Sequence, residues 1–220
     1  MSKIEIACFN PESAFTAFEN GADRIELCDG LHEGGTTPDF ETTKQVREKI
    51  NIPIFVMIRP RGGDFNYSDA EFEQMKAELI ELESLNIDGF VFGILDENNE
   101  INISRNKALV ELAKPLPCTF HRAFDKAEGL ENSLEKVIEC GFKTILTSGQ
   151  KPNVSEGQEN LKKLVELSNG RIEILVGGGL RSTNIKEIRE FTNAGYFHSS
   201  AITDSSGLAS ADEVLALKKK

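Results

Sequence analysis

Two arginines bracket a proline in the segment MIRPRGGDF, residues 57–65, directly after an apolar run. The run, residues 54–58, is β-branched, aromatic and uninterrupted, which is typical of a strand buried on both faces. Pro60 cannot donate a hydrogen bond to a neighbouring strand, so the strand must end near it. We therefore predict that Arg59 and Arg61 stand at a strand end, where a guanidinium can bind a carboxylate or a phosphate.

Residues that could transfer protons occur in two further segments. His121 lies in TFHRAFD, and an imidazole beside carboxylates can exchange a proton near neutral pH. Glu26, in RIELC, supplies such a carboxylate. We take Glu26, Arg59 and His121 as candidate catalytic residues. Arg122 and Asp125 follow His121 closely and are candidates for substrate binding.

Short turns of small residues follow three other apolar runs. They are TSG, GGG and SSA, and their candidate substrate-binding residues are Thr147, Ser148, Gly177, Gly178 and Ser199. Backbone N–H groups in such turns can bind phosphate when the turns lie together at the end of a barrel. Glycine after a strand is also ordinary turn chemistry, so both interpretations stay open.

Apolar strands alternate with amphipathic helices along nearly the whole chain. The predicted strands are residues 4–8, 24–28, 54–59, 89–94, 118–122, 144–148, 172–177 and 195–198. The predicted helices are residues 11–19, 39–49, 69–85, 104–112, 130–139, 155–167, 184–192 and 211–217. Eight such repeats predict an α/β fold, a single (β/α)8 TIM barrel over residues 1–220. The alternative, an open doubly wound sheet, is less favoured because no GxGxxG motif follows the first strand.

Alternation along the strands predicts which side chains point into this barrel. In the second strand Ile25 and Leu27 suit the helix layer, which leaves Arg24, Glu26 and Cys28 facing inward. The inward polar side chains are predicted to be Glu5, Glu26, Arg59 and His121. For Glu5, in the middle of its strand, a purely structural ion pair is the competing interpretation.

Charge and cysteine content restrict the location and the partners. A formal net charge of -11 argues against a nucleic acid or an anionic membrane as partner. The first residues form no apolar targeting segment, and no apolar run approaches the length of a membrane span. The four cysteines lie far apart without a CxxC pair, as expected of buried thiols in a reducing compartment. We predict a cytoplasmic protein, and the sequence is compatible with a homo-oligomer.

Several cofactor chemistries find no support in the sequence. No lysine falls at the carboxyl end of a predicted strand, so a Schiff base is not expected. No HExxH motif or closed zinc pattern occurs, and we expect no organic cofactor.

The segments that carry these residues resemble the CutC family, the copper homeostasis proteins. They are NGADRIELCDGLHEGGTTP, MIRPRGGDFNYSDAEF, TFHRAFD, LTSGQ, GGG and FHSSA. The resemblance covers nearly the whole chain and implies a (β/α)8 barrel, a cytosolic location, a role in copper homeostasis and Cu(I) binding through cysteine.

One segment departs from that family's pattern. The family's first strand reads Glu-x-Cys, whereas this chain has Ala7 after Glu5-Ile6 and a cysteine one position later, Cys8. A shift of one residue turns a side chain to the other face of a strand. Cu(I) prefers two or three converging sulfur ligands, so Cys28 is the single metal-ligand candidate, with Met57 or His121 as an assisting ligand.

Two functions from different classes remain open. The first is a copper homeostasis protein that binds Cu(I) at Cys28. The second is a lyase, isomerase or hydrolase that acts on a small anionic metabolite, phosphorylated or not, at the carboxyl end of the barrel. In the second case Arg59 and Arg61 hold the anion while Glu26 and His121 exchange protons. The partner is accordingly a copper ion or a small anionic metabolite.

Overall fold

Eight parallel strands close into one barrel in chain order. The structure is a computed structural model that describes residues 2–219. Its strands are β1 (Lys3–Cys8), β2 (Arg24–Leu27), β3 (Ile54–Met57), β4 (Gly89–Phe92), β5 (Cys118–Phe120), β6 (Thr144–Thr147), β7 (Glu173–Gly177) and β8 (Tyr196–Ser199). Each strand pairs with the next, and β8 pairs with β1 to close the ring. The predicted (β/α)8 barrel is confirmed.

A helix follows each strand and covers the outside of the barrel. The helices are α1 (Pro11–Glu19), α2 (Phe40–Lys49), α3 (Asp69–Glu83), α4 (Ile103–Leu112), α5 (Leu130–Cys140), α6 (Gln158–Ser168), α7 (Ile185–Thr192) and α8 (Ala211–Lys218). The start of α3 is fixed by a capping box, in which Ser68 and Glu71 each accept a hydrogen bond from the other's backbone N–H. None of the helices within residues 2–219 is both long enough and apolar enough to cross a membrane.

Most strands end earlier than the sequence predicts. Cys28, Arg59 and His121 were placed inside strands by their apolar surroundings, but each lies one or two residues beyond the strand end. The Arg59 N–H donates to the Thr37 hydroxyl at 2.9 Å instead of to a neighbouring strand. The His121 ring accepts a hydrogen bond from the Ala123 N–H and so caps a short 3-10 helix. The N–H groups of Cys28 and His121 still donate to the neighbouring strands, to the carbonyls of Cys8 and Phe92, so only Arg59 leaves the ladder through its N–H.

The apolar core lies mainly between strands and helices. Cys8 packs there with Ile4 and Ile6, so its predicted outward orientation is confirmed. Two small apolar groups fill parts of the barrel interior: Cys28, Phe55, Met57 and Val91 in one, and Leu146, Leu175 and Tyr196 in the other. The rest of the interior holds charged side chains, which is where the chemistry of this fold has to be sought.

Candidate functional site

A cavity of about 230 Å³ opens at the carboxyl ends of the strands. Its polar lining side chains come from five of the strands and the loops that follow them: Glu26, Arg59, His121, Arg122, Arg181, His198, Ser199 and Ser200. The carboxyl-terminal face is the one at which (β/α)8 barrels form their active sites. The structure therefore brings together all three candidate catalytic residues with Arg122, Gly178 and Ser199 from the candidate binding set.

A chain of ionisable side chains runs from the barrel interior to the cavity floor. Arg24 forms an ion pair with the fully buried Glu5. Glu5 Oε1 lies 2.6 Å from Nδ1 of His198, across the β1–β8 seam. The other ring nitrogen of His198 lies 3.9 Å from Glu26 Oε2. The imidazole of His198 thus lies between two carboxylates, of which Glu26 alone reaches the cavity.

Burial and neighbouring charges set the protonation of this chain. Burial raises the pKa of Glu26 to about 7, against the opposing effect of His198. Burial lowers the pKa of His198, but the carboxylates of Glu26 and Glu5 outweigh it and the pKa is raised. The pKa of Glu5 is lowered, because Arg24 and His198 together outweigh its burial. Near neutral pH, Glu26 and His198 are thus suited to share and exchange a proton.

Glu26 also has an unused hydrogen-bonding position. The residue is 3% exposed, and its Oε1 has no hydrogen-bond partner within residues 2–219. A buried carboxylate oxygen without a donor is costly unless a ligand or water supplies one. Oε1 is therefore a buried acceptor without a donor at a residue that lines the cavity.

Arg59 is a buried cation that joins two loops. Its Nη1 donates to the carbonyl oxygens of Glu33 and Gly35, each at 2.8 Å, and its Nη2 donates to that of Gly63. The residue is 4% exposed, its Nε has no partner, and no carboxylate of residues 2–219 lies within ion-pair distance. Its positive charge is thus stabilised by neutral carbonyl oxygens and by the ring of Phe65, whose centroid lies 4.9 Å from the guanidinium carbon.

His121 presents a neutral imidazole to the cavity. Its Nδ1 accepts the Ala123 N–H, which assigns the proton to Nε2. Nε2 is buried and has no partner within the described residues. Burial and the nearby Arg59 lower the pKa of His121 to about 3, so the ring stays uncharged at neutral pH. His121 is therefore equipped to donate a hydrogen bond rather than to carry a proton as a cation.

Arg61 lies outside the cavity. Its Nε pairs with Glu71, and its Nη2 donates to Asp64 and to the carbonyl of Asn66, each at 3.0 Å. The side chain also packs over the ring of Tyr67. The two arginines that bracket Pro60 thus diverge, and only Arg59 faces the cavity.

Asp125 organises the adjoining rim. Its side chain is 5% exposed and accepts hydrogen bonds from the Thr147 hydroxyl, from the Ser148 N–H and hydroxyl, and from the Gln150 N–H. It also pairs with Arg122 at 2.8 Å. The N–H groups of this turn are directed at Asp125, so Thr147 and Ser148 lie behind the cavity wall rather than in it.

The glycines at the end of β7 and directly after it are required by close approaches. A Cβ on Gly177 would lie 2.9 Å from the Cβ of His198 and 2.6 Å from a methyl of Leu146. Gly178 has a φ of +107°, and a Cβ there would lie 2.9 Å from the guanidinium carbon of Arg122. Gly177 thus lets His198 pack against β7, and Gly178 lines the cavity itself.

Two residues of the site were not predicted from the sequence, His198 and Arg181. In β8, YFHS, the large apolar Phe197 takes the helix side, so alternation alone would have turned His198 inward. Arg181 follows the GGG turn and donates to the Ser199 hydroxyl and to the carbonyls of Leu180 and Ile202. No local pattern distinguishes it from a surface arginine.

A group of buried side chains within residues 2–219 could hold a metal ion. Glu5, Glu26 and His198 each offer one ligand atom, and these atoms lie within 4.8 Å of one another. The thiol of Cys28 lies 3.6 Å from Glu26 Oε2. Burial, reinforced by Glu26, raises the pKa of the Cys28 thiol well above its usual value. Cys28 lies below the cavity lining and is 1% exposed, so an ion must enter past the floor to reach it.

Comparisons with known proteins agree with one another. The sequence profile of the CutC family matches residues 2–203. A human protein named copper homeostasis protein cutC homolog is 45% identical over 198 residues, which are 90% of this chain and 72% of that protein. A solved CutC structure from Streptococcus agalactiae is 34% identical and has a TM-score of 0.86, covering 92% of this chain and all of that one.

More distant structures share the fold alone. Phosphoribosyl anthranilate isomerase from Thermotoga maritima superposes with a TM-score of 0.68 at 15% identity, over the whole of this chain and 98% of that one. At this identity the likeness concerns the barrel and carries no chemistry.

Proposed function

This chain belongs to the CutC family, and from that premise we propose that it serves copper homeostasis by binding Cu(I) at Cys28. The human relative, which is named as a copper homeostasis protein, supports the first half of the proposal. The four cysteines are free thiols, which suits the cytoplasm as the place of action. Copper is here the cargo of the protein.

The observation that carries this proposal is the position of Cys28 beside a second sulfur side chain. The Cys28 Sγ and the Met57 Cε both approach the Gly35 turn, lying 3.4 and 3.5 Å from the place of a Cβ on that glycine. A thiolate with a thioether is a donor set suited to Cu(I). The Glu26 carboxylate beside the thiol adds electrostatic attraction for a cation. Cys8, the cysteine at the end of β1, packs on the helix side of the barrel and does not supply a second thiolate.

A competition titration of the reduced protein with Cu(I) and a chromophoric chelator tests this proposal. We expect one equivalent to bind in the wild type and none in Cys28→Ser. Because the thiol must lose its proton, the apparent affinity should rise about tenfold per pH unit between pH 6 and 8. Cys118→Ser is the matched control, since it removes a buried thiol far from the cavity. Equal binding by Cys28→Ser and the wild type would contradict the proposal.

A second function is favoured by a different observation, the unpaired positive charge of Arg59. A buried guanidinium without a carboxylate partner is stabilised by an incoming anion. Glu26 and His198 at the floor of the same cavity are suited to transfer protons. We propose on this basis that the protein also acts on a small anionic metabolite, as a lyase, isomerase or hydrolase.

Binding of inorganic phosphate at low ionic strength, measured by calorimetry, tests the anion site. We expect Arg59→Gln to lower the affinity at least tenfold, with the fold checked by circular dichroism. Arg171→Gln serves as control, because Arg171 pairs with Glu135 on the surface. The absence of phosphate binding to the wild type would remove the support for this second function while leaving the copper proposal in place.

A further inference from the structure

We propose that the cavity recognises a small molecule with two anionic groups, one bound by Arg59 and the other by Arg181, and with an uncharged oxygen acceptor that faces His121 between them. This inference rests on the second proposed function and names its substrate class. Dicarboxylates and phosphorylated carboxylic acids that carry a carbonyl or hydroxyl oxygen belong to this class.

The two arginines lie on opposite walls of the barrel mouth. Arg59 follows β3 and Arg181 follows β7, and strands four positions apart in a closed ring of eight face each other. Both side chains line the same cavity. A ligand that engages both must therefore span the mouth with an anionic group at each end.

Arg181, like Arg59, has no carboxylate partner within residues 2–219. Its guanidinium donates to a hydroxyl and to two carbonyl oxygens, and no carboxylate of residues 2–219 lies within ion-pair distance. The protein as a whole has a formal net charge of -11, so carboxylates are abundant elsewhere on the chain. Two unpaired guanidinium groups at one cavity are thus a local feature and not a consequence of composition.

Among the side chains that line the cavity itself and their ion-pair partners, the other charges cancel one another. Arg24 is paired with Glu5, and Arg122 is paired with Asp125. The remaining pair, Glu26 and His198, shares one titratable proton. The pair has no net charge whether Glu26 holds this proton beside a neutral imidazole or His198 holds it beside a carboxylate. Two positive charges are left over, and a ligand with two negative charges neutralises them.

His121 supplies the recognition between the two ends. It follows β5, which lies midway between β3 and β7 in the ring. His121 lines the cavity, its buried Nε2 has no hydrogen-bond partner within residues 2–219, and its ring packs against Phe65 with the centroids 4.9 Å apart. A fixed neutral donor selects an oxygen acceptor such as a carbonyl or hydroxyl group.

The volume of the cavity suits a ligand of a few carbons. It is about 230 Å³, below the roughly 300–1,000 Å³ of pockets that hold drug-sized molecules. Short-chain dianions fit inside it, and a larger ligand would extend into the adjoining cleft, which shares Gly34, Arg59, Phe65 and Arg122 with the cavity.

The test compares matched probes by calorimetry at low ionic strength. Butyrate carries one carboxylate, glutarate carries two on a similar chain, and 2-oxoglutarate adds a carbonyl to glutarate. We expect glutarate to bind the wild type at least tenfold more tightly than butyrate, and 2-oxoglutarate to bind at least fivefold more tightly than glutarate. Equal dissociation constants for glutarate and butyrate would overturn the inference.

Variants assign each preference to its residue. Arg181→Gln should reduce glutarate to the affinity of butyrate, Arg181→Lys should retain part of the preference, and Arg171→Gln should change neither. His121→Asn keeps an acceptor for the Ala123 N–H and should abolish only the preference for the carbonyl probe. A preference for glutarate that survives in Arg181→Gln would contradict the assignment of the second anionic group.

The outcomes separate this inference from the function on which it rests. If phosphate and butyrate bind through Arg59 but glutarate gains nothing, the anion-binding function stands and the two-headed substrate class is wrong. If none of these probes binds the wild type, both are wrong. Failure of Arg181→Gln to fold leaves the wild-type comparison of butyrate with glutarate decisive.

Discussion

Single residues of this barrel acquire their chemistry from burial and from one or two neighbours. Glu26 and Glu5 face the same interior, yet the pKa of Glu26 is raised to about 7 and that of Glu5 is lowered. The difference arises because Glu5 has Arg24 as a close ion-pair partner, whereas the imidazole of His198 lies 3.9 Å from Glu26 and does not outweigh the burial of that carboxyl. One carboxyl is thereby kept as a structural anion and the other is made available for proton transfer.

The raised pKa of Glu26 predicts a pH-dependent stability. The pKa of Glu26 rises from 4.5 to about 7 on folding, so between these pH values the native state holds a proton that the unfolded state releases. The stabilisation that this proton binding gives to the native state is complete below pH 4.5 and is lost as the pH rises through about 7. This corresponds to about 3 kcal/mol in the free energy of unfolding. Glu26→Gln lacks this titration. Its free energy of unfolding relative to the wild type, measured in urea, should therefore be higher at pH 8 than at pH 5.

The exposed Glu97→Gln is the control for that measurement and should follow the wild type at both pH values. A stability difference between Glu26→Gln and the wild type that does not change with pH would show that Glu26 is ionised in the native state.

At the scale of elements, the strand ends and the loops after them form the site together. The loop after β6 is held by Asp125 from the 3-10 helix Arg122–Lys126, which follows β5. Asp125 was predicted to bind substrate, and the structure directs its carboxylate to this loop instead of to the cavity. The same contact positions Arg122, whose Nη2 donates to the Ser148 hydroxyl at 2.9 Å.

Removal of the Asp125 acceptor should loosen this pair of loops. Asp125→Asn replaces one acceptor oxygen with a donor that faces other donors, and buried N–H groups lose their partner. We expect the free energy of unfolding, measured in urea, to fall by about 2–4 kcal/mol. Asp64→Asn, at an exposed carboxylate, should change it by less than about 0.5 kcal/mol. Equal losses in the two variants would contradict a structural role for Asp125.

At the scale of the whole molecule, a buried ionic layer spans the seam where the barrel closes. Glu5 on β1 contacts Arg24 on β2 and His198 on β8, so three strands from both ends of the chain meet at one carboxylate. Arg24 is also held between the rings of Phe55 and Tyr196, at 3.9 and 4.6 Å from their centroids. The layer thus links the first and last strands in the correct register.

A double-mutant cycle on Glu5 and Arg24 measures this layer. Glu5→Gln leaves a buried guanidinium without its counter-charge and should destabilise the protein by about 3–5 kcal/mol. Arg24→Met in the same background should recover part of the loss, because it removes the uncompensated cation. Strictly additive losses, measured by urea denaturation, would show that the two side chains do not interact.

Much of the molecule follows from local patterns in the sequence. The alternation of apolar strands with amphipathic helices determined the eightfold barrel, and the period of two along each strand determined that Glu5, Glu26 and Cys28 face inward and Cys8 outward. These features depend on neighbours within a few residues, which the sequence displays directly. Arg59 and His121 were placed at the cavity for the same reason.

The partners of those side chains were decided by the tertiary structure. His198 meets Glu5 across 193 residues because the ring closes between β8 and β1, and Arg181 faces Arg59 because β7 lies opposite β3. Whether a guanidinium finds a carboxylate, as Arg61 does and Arg59 does not, depends on which loops fold over it. The sequence determined which charges enter the barrel mouth, and ring closure with loop packing decided which of them remain unpaired, because those contacts join residues far apart in the chain.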